Sequence, residues 1–155
     1  MDAFLAVKWV HILSATLLFG TGLGTAFHMW LAHLSGDAAH IAHAARQTVL
    51  ADWLFTLPAG IAQPVSGVAL IYLAGYDPHE GWLMLAYALY LVAGACWVVV
   101  ARLQIRIARR LAAGGGPEDP QYRRAMRIWF ALGWPAFLAL IAVFWLMVAR
   151  PTLAL

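Results

Sequence analysis

Lys8 and His11 stand one helical turn apart in Ala3 to Leu34, an otherwise apolar stretch long enough to cross a bilayer. Ionisable side chains are costly in lipid, and where they occur they mark a cofactor, a proton path or an ion path. A neutral imidazole is a good axial ligand for haem iron. An ammonium group one turn nearer the surface can snorkel toward water and meet a haem propionate. Lys8 and His11 therefore admit a joint reading, with His11 as the metal ligand and haem as the cofactor. The other reading is a histidine that bonds across helices to a backbone carbonyl near a kink. A bis-histidine site needs a second histidine at the same depth, and the later apolar stretches hold none. Met84, Met147, a water or a vacant position would complete the iron.

Asp52, Gln63 and the arginines form a second polar set. Asp52 opens the apolar part of the second stretch, and Gln63 precedes Pro64 where the chain is expected to kink. Arg102, Arg106 and Arg127 fall at a similar depth to Asp52, which predicts an Asp–Arg pair. The functional form of the same expectation is a proton or propionate site built from Asp52, Arg106 and Arg127, with Gln63 as a further cofactor contact. His28 lies about 25 Å from His11 along the helix axis, so the two cannot clasp one iron, and His28 reads as interfacial. His40 and His43 share a helix face at a spacing that suits a metal. No cysteine or well-spaced carboxylate joins them, and a solvated face is the plainer reading. No nucleotide loop, nucleophile elbow, zinc motif or catalytic triad signature is present.

The elements that must hold these residues follow from composition. The chain is 64% hydrophobic and 11% charged, with a mean hydropathy of +0.78. A soluble domain cannot hide that much apolar surface, so lipid is the solvent for most of it. The pattern predicts an all-α protein, a four-transmembrane-helix bundle in one integral membrane domain over residues 1–155. The spans fall at about 3–34, 50–74, 82–105 and 126–149. Asp37 is placed to cap a helix that begins in water and runs into span two. Pro58 and Pro64 predict a kink there, and the carbonyls they free need partners from neighbouring helices. Gly20 and Gly24 form a small face for close helix packing or homodimerisation. The first apolar run is too long for a signal-peptide core and reads as a retained span. Cys96 is the sole cysteine, so no internal disulfide forms.

Net charge is +3. Seven arginines lie between Arg102 and Arg127, against Glu118 and Asp119. This concentration fits membrane orientation rather than nucleic-acid binding. It predicts that this loop is cytoplasmic and that both termini lie on the opposite, periplasmic side. Tyr72, Tyr76 and Trp82 would then form the outer aromatic belt, and Trp30, Trp53 and Trp129 the inner one.

Several motifs carry a family resemblance. They are Lys8-x-x-His11-Ile12, Arg46 to Asp52-Trp53-Leu54-Phe55-Thr56, Gln63-Pro64-x-x-Gly67, Gln104-Ile105-Arg106, and Arg127 through Trp134-Pro135. Over nearly the whole chain they resemble a bacterial family of predicted four-span integral membrane proteins of unknown function. That implies a bacterial inner-membrane location. More distantly, the chain is similar to membrane protoporphyrinogen oxidases of the HemJ type, which also begin with a Lys-x-x-His span. That resemblance implies haem b bound through His11. The chain departs from the oxidases at Gly133 and Trp134, where they carry an Asn-Glu pair, and in span three, which lacks their basic groups. Three functions follow as expectations. One is a small haem b cytochrome serving a redox partner, and another is a HemJ-like tetrapyrrole oxidase. The third is a non-enzymatic small transporter or membrane-complex subunit.

Overall fold

The computed structural model describes residues 2–153. Four apolar runs become four long helices among the described residues. Helix α1 is Ala3–Ser35. Asp2 caps its start, accepting the Phe4 N–H at 3.1 Å. Gly36 ends it at φ 67°, a left-handed conformation that glycine adopts without strain. Helix α2, Ala38–Ala51, opens as expected on Asp37, whose carboxylate accepts the Ala39 N–H at 2.8 Å. It continues through a π-turn, Asp52–Thr56, into α3, Leu57–Ala74. Helix α4 is Gly81–Ala112 and α5 is Pro120–Ala149.

The second long helix covers 37 residues, Ala38–Ala74. That is about 55 Å against a hydrocarbon core of about 30 Å. The excess projects at the arginine-rich end, where the start of α2, the end of α4 and the start of α5 pack together. Met29, Ala32, Ile41, Ala45, Ile107, Tyr122, Met126 and Trp129 form a buried cluster there. The α4–α5 loop beyond it carries the ion pairs Arg110–Asp119 (2.6 Å) and Arg123–Glu118 (2.8 Å). A smaller cluster of Ile71, Trp82, Leu83, Ala86 and Leu146 closes the opposite end, where the described chain ends and the α3–α4 turn meet. Helix α1 packs mainly on α3, and α4 on α5 and α2. The middle of the bundle is left less tightly filled.

Two expectations change. Trp82 and Trp129 are not belt residues: both are buried, at 6% and 5% exposure. Each indole N–H finds a polar partner inside, Glu80 for Trp82 and Gln104 for Trp129, which draws the ring inward. The face of Gly20 and Gly24 packs nothing within the chain, since a Cβ built at either meets no atom within 4 Å, which changes the close-packing half of that expectation and leaves the homodimer half as it stood.

Candidate functional site

The prolines of the second long helix organise two separate polar groups. Pro64 has no N–H, so the carbonyl of Gly60 loses its helical donor. The Tyr90 hydroxyl of α4 donates to that carbonyl at 2.7 Å. Pro58 likewise cannot donate to Leu54. The helix widens here into the π-turn, in which the Leu57 N–H bonds back to Asp52 O. The extra residue turns Asp52 and Thr56 inward and leaves Trp53, Leu54 and Phe55 exposed.

The first polar group lies beside Pro64 and joins α1 to α3. His11 Nδ1 is 2.8 Å from Ser66 Oγ, and His11 Nε2 is 3.1 Å from the Gln63 amide nitrogen. Ser66 Oγ donates to Ala62 O at 2.6 Å. Ser14 Oγ donates to Gln63 Oε1. Ser14 Oγ also reaches His11 O at 3.0 Å, and one bonding sense consistent with all of these contacts has Ser66 donating to Ala62 O and Ser14 to Gln63 Oε1. In that sense His11 donates from Nδ1 to Ser66 and accepts from Gln63 at Nε2, and the imidazole is neutral. Gly67 lets the ring lie against α3, since a Cβ there would sit 3.3 Å from His11 Cε1. His11 and Gln63, two of the expected site residues, are thus in contact. Lys8 is exposed, with its Nζ 5.8 Å from the centre of the Phe4 ring.

Haem fits this arrangement poorly. An iron ligand needs Nε2 open to the metal, and the Gln63 amide occupies that direction. Nδ1 held by Ser66 is the feature in its favour, because an imidazole ligand commonly donates its other N–H to a neighbour. Among the described residues no group of three potential metal ligands assembles. His28 stacks edge-on near His40, His33 pairs with the Tyr122 hydroxyl at 2.9 Å, and His40 and His43 are exposed.

The second polar group surrounds Asp52, which is 8% exposed. The arginine expected beside it is absent. Arg106 and Arg127 are exposed, and the ion pairs of the described residues lie in the α4–α5 loop. Long cationic side chains near helix ends reach water more cheaply than a buried carboxylate. The partner is Gln104 of α4. With its amide oriented to satisfy both neighbours, Nε2 donates to Asp52 Oδ2 at 2.6 Å and Oε1 accepts the Trp129 indole at 3.1 Å. Thr56 and Trp97 stand beside the carboxylate. Thr56 Oγ1 and Trp97 Nε1 are buried without a hydrogen bond of ordinary geometry.

This group forms one end of a half-enclosed cavity of about 850 Å³ in the middle of the bundle. All four spans contribute to its walls, which are apolar and rich in aromatic rings. Phe19, Trp97, Trp129, Phe130, Trp134 and Phe137 are among them. A smaller hollow of about 90 Å³ lies against Asp52, Trp97 and Gln104 as well, beside Val49 and Trp53. His11 lines neither.

A family model described as predicted integral membrane protein (DUF2269) matches residues 5–151. The chain belongs to this family. No curated protein and no solved structure matches it. The family description carries no activity, so any chemistry of this DUF2269 protein rests on its own residues.

The arrangement brings together residues that single motifs do not reveal. Ser14, Ser66, Tyr90, Thr56, Trp97 and Gln104 were not among the expected site residues. A signal for the α4 set exists in retrospect. Tyr90, Trp97 and Gln104 recur every seven residues, which places polar groups on one helix face along an otherwise apolar span. Ser14 and Ser66 each follow a polar residue, His11 and Gln63, by one turn.

Proposed function

We propose that this membrane protein holds a lipid-soluble guest inside its bundle, as a small carrier or as a binding subunit of a membrane complex. The observation that carries the reading is the cavity of about 850 Å³ shared by all four spans, with a buried carboxylate cluster at one end. Cofactor and ligand sites in helix bundles sit between facing helices and combine apolar walls with a few convergent polar groups. In a bacterial inner membrane with the arginine-rich loop cytoplasmic, as the positive-inside rule directs, Asp52 lies in the inner leaflet half and the chain ends are periplasmic.

Native mass spectrometry of the protein released from detergent tests this. The wild type is expected to retain a small-molecule mass, or to take one up from a lipid extract. Gly94→Phe places a ring in the cavity without backbone clash, since a Cβ at Gly94 meets nothing within 4 Å. It is expected to abolish retention while the fold survives. Retention unchanged in that variant, or no uptake by the wild type, would overturn the reading.

A second reading keeps haem b at His11, the reading that the Lys8-x-x-His11 motif motivates. It is favoured by the Ser66 hydroxyl that holds Nδ1. It requires the Gln63 amide to leave Nε2. A Soret band in the purified protein that disappears in His11→Ala supports it. A colourless protein after haem supplementation refutes it.

A further inference from the structure

We infer that the guest of the central cavity is a lipophilic organic cation, with Asp52 as its counter-charge. The inference rests on the cavity reading above and names the class of guest. Asp52 is at least nine-tenths buried and lines the cavity. Among the described residues no cation lies within 4.0 Å of it, since the ion pairs found there are Arg110–Asp119 and Arg123–Glu118. A buried carboxylate is costly unless paired. Gln104 supplies one hydrogen bond to Oδ2. Thr56 and Trp97 stand beside the same carboxyl, close enough to bear on it but outside ordinary hydrogen-bond geometry.

No other wall element supplies a compensating charge. Helix α1 lines the cavity with Leu18, Phe19, Thr25, Phe27 and Trp30 among others, and no titratable residue. From α4 the titratable group is Tyr90, whose hydroxyl is committed to Gly60 O. Helix α5 contributes Trp129, Phe130, Trp134 and Phe137 and no charge. The Asp52 carboxyl thus opens on a half-enclosed cleft whose walls are rich in aromatic rings. A cation is attracted by the faces of such rings, most by tryptophan, and more strongly where water is excluded. A diffuse charge carried on apolar groups also enters a lipid-lined cavity at a lower desolvation cost than a compact ammonium ion. Carboxylate and aromatic rings together select for positive charge, and the apolar wall selects for lipophilicity.

The experiment compares tetraphenylphosphonium with tetraphenylborate, probes of similar shape and opposite charge, against the protein in nanodiscs. Saturable binding above that of empty nanodiscs is measured by equilibrium dialysis. The wild type is expected to prefer the cation by at least about tenfold, the discrimination that one charge pair provides. Asp52→Asn is expected to remove that preference and Asp52→Glu to keep it. In case Asp52→Asn does not fold, a second readout uses the wild type alone. Labelling of Asp52 by dicyclohexylcarbodiimide, followed by peptide mass spectrometry, is expected to be blocked by tetraphenylphosphonium and unaffected by tetraphenylborate. Equal binding of the two probes, abolished by Gly94→Phe, would overturn the cation and leave the cavity reading standing. Absence of binding by either probe, with no mass retained in native spectrometry, would overturn both.

Discussion

His11 and Gln63 are expected to be energetically coupled across α1 and α3, and a double-mutant cycle measures this. The imidazole makes two bonds to α3, at 2.8 Å to Ser66 and 3.1 Å to Gln63. In His11→Ala, Ser66 keeps its backbone acceptor at Ala62. Gln63 keeps Ser14 on its carbonyl oxygen but loses the acceptor of its amide N–H. One donor is therefore stranded. Stranding a buried donor costs about 1–3 kcal/mol in proteins generally. Measured couplings between membrane helices are smaller, about 0.6 kcal/mol on average and about 1.7 at most. Lost packing of the ring on Gly67 adds to the single-variant cost but cancels in the cycle. The expected coupling is thus about 0.6–1.7 kcal/mol, a factor of roughly 3 to 18 in the unfolding equilibrium. Unfolding of wild type, His11→Ala, Gln63→Ala and the double variant in mixed micelles, followed by circular dichroism, supplies the four free energies. Additive effects within about 0.3 kcal/mol, the usual scatter for independent sites, would refute the clasp. The same variants address haem. If His11 binds iron, Gln63→Ala frees Nε2, and the Soret absorbance should rise rather than fall.

Three further outcomes follow from contacts described above. Tyr90→Phe strands the Gly60 carbonyl and should destabilise by about 1 kcal/mol; in a Pro64→Ala background the restored amide donates to Gly60, so the loss should shrink toward zero in the same micelle assay. Gly67→Leu should push the His11 ring off α3 and cost about as much as His11→Ala, with little added in the double variant; full additivity would place His11 elsewhere. Asp119 caps α5, and its carboxyl is held below the ordinary aspartate range, first by the Gln121 backbone N–H and then by Arg110. A carboxyl lowered on folding stabilises above its unfolded value and loses that contribution as pH falls through the lowered one. The Gln121 amide NMR shift should therefore titrate with a midpoint below the free aspartate value of about 3.9; a midpoint at or above it would refute the cap.

The number and course of the spans were legible because lipid imposes length and hydropathy on each helix, and Asp37 marked a boundary through local chemistry. The pairing of Pro64 with a neighbouring donor was legible as a need but not as a residue. Any hydroxyl on a facing helix would serve, and helix rotation decided for Tyr90. The partner of Asp52 was misread for a similar reason. Arg102, Arg106 and Arg127 match it in depth, but depth along a span says nothing about azimuth. The arginines sit on faces that reach water, while Gln104 sits on the face toward the bundle axis. Trp129 shows the same effect, since an interfacial position suited a belt residue until its N–H met Gln104. The His11 site was legible as a residue with two readings, and the neighbours that bear on it, Ser14 and Ser66, look unremarkable in an apolar helix.

The two polar groups share a cause, proline in one long helix, yet they differ in what they leave open. Around Pro64 each polar side chain finds a partner. Tyr90 satisfies Gly60, and Ser14, Gln63, His11 and Ser66 form a chain of neutral groups that ends on a carbonyl. A closed neutral network of this kind fixes the rotation of α1 on α3 and offers nothing further to a ligand. Around Pro58 the balance is different. Asp52 and Thr56, four residues apart, share one helix face, and both are buried in the π-turn beside the Trp97 indole and next to open volume. Buried polar atoms in folded proteins are paired with few exceptions, and π-turns concentrate where helices bind ligands. An aspartate with no counter-ion beside it among the described residues thus stands where the helix departs from regular geometry and where the bundle leaves room. By that reasoning the first span's histidine ties α1 to α3, and the second span's aspartate is the polar group with room beside it.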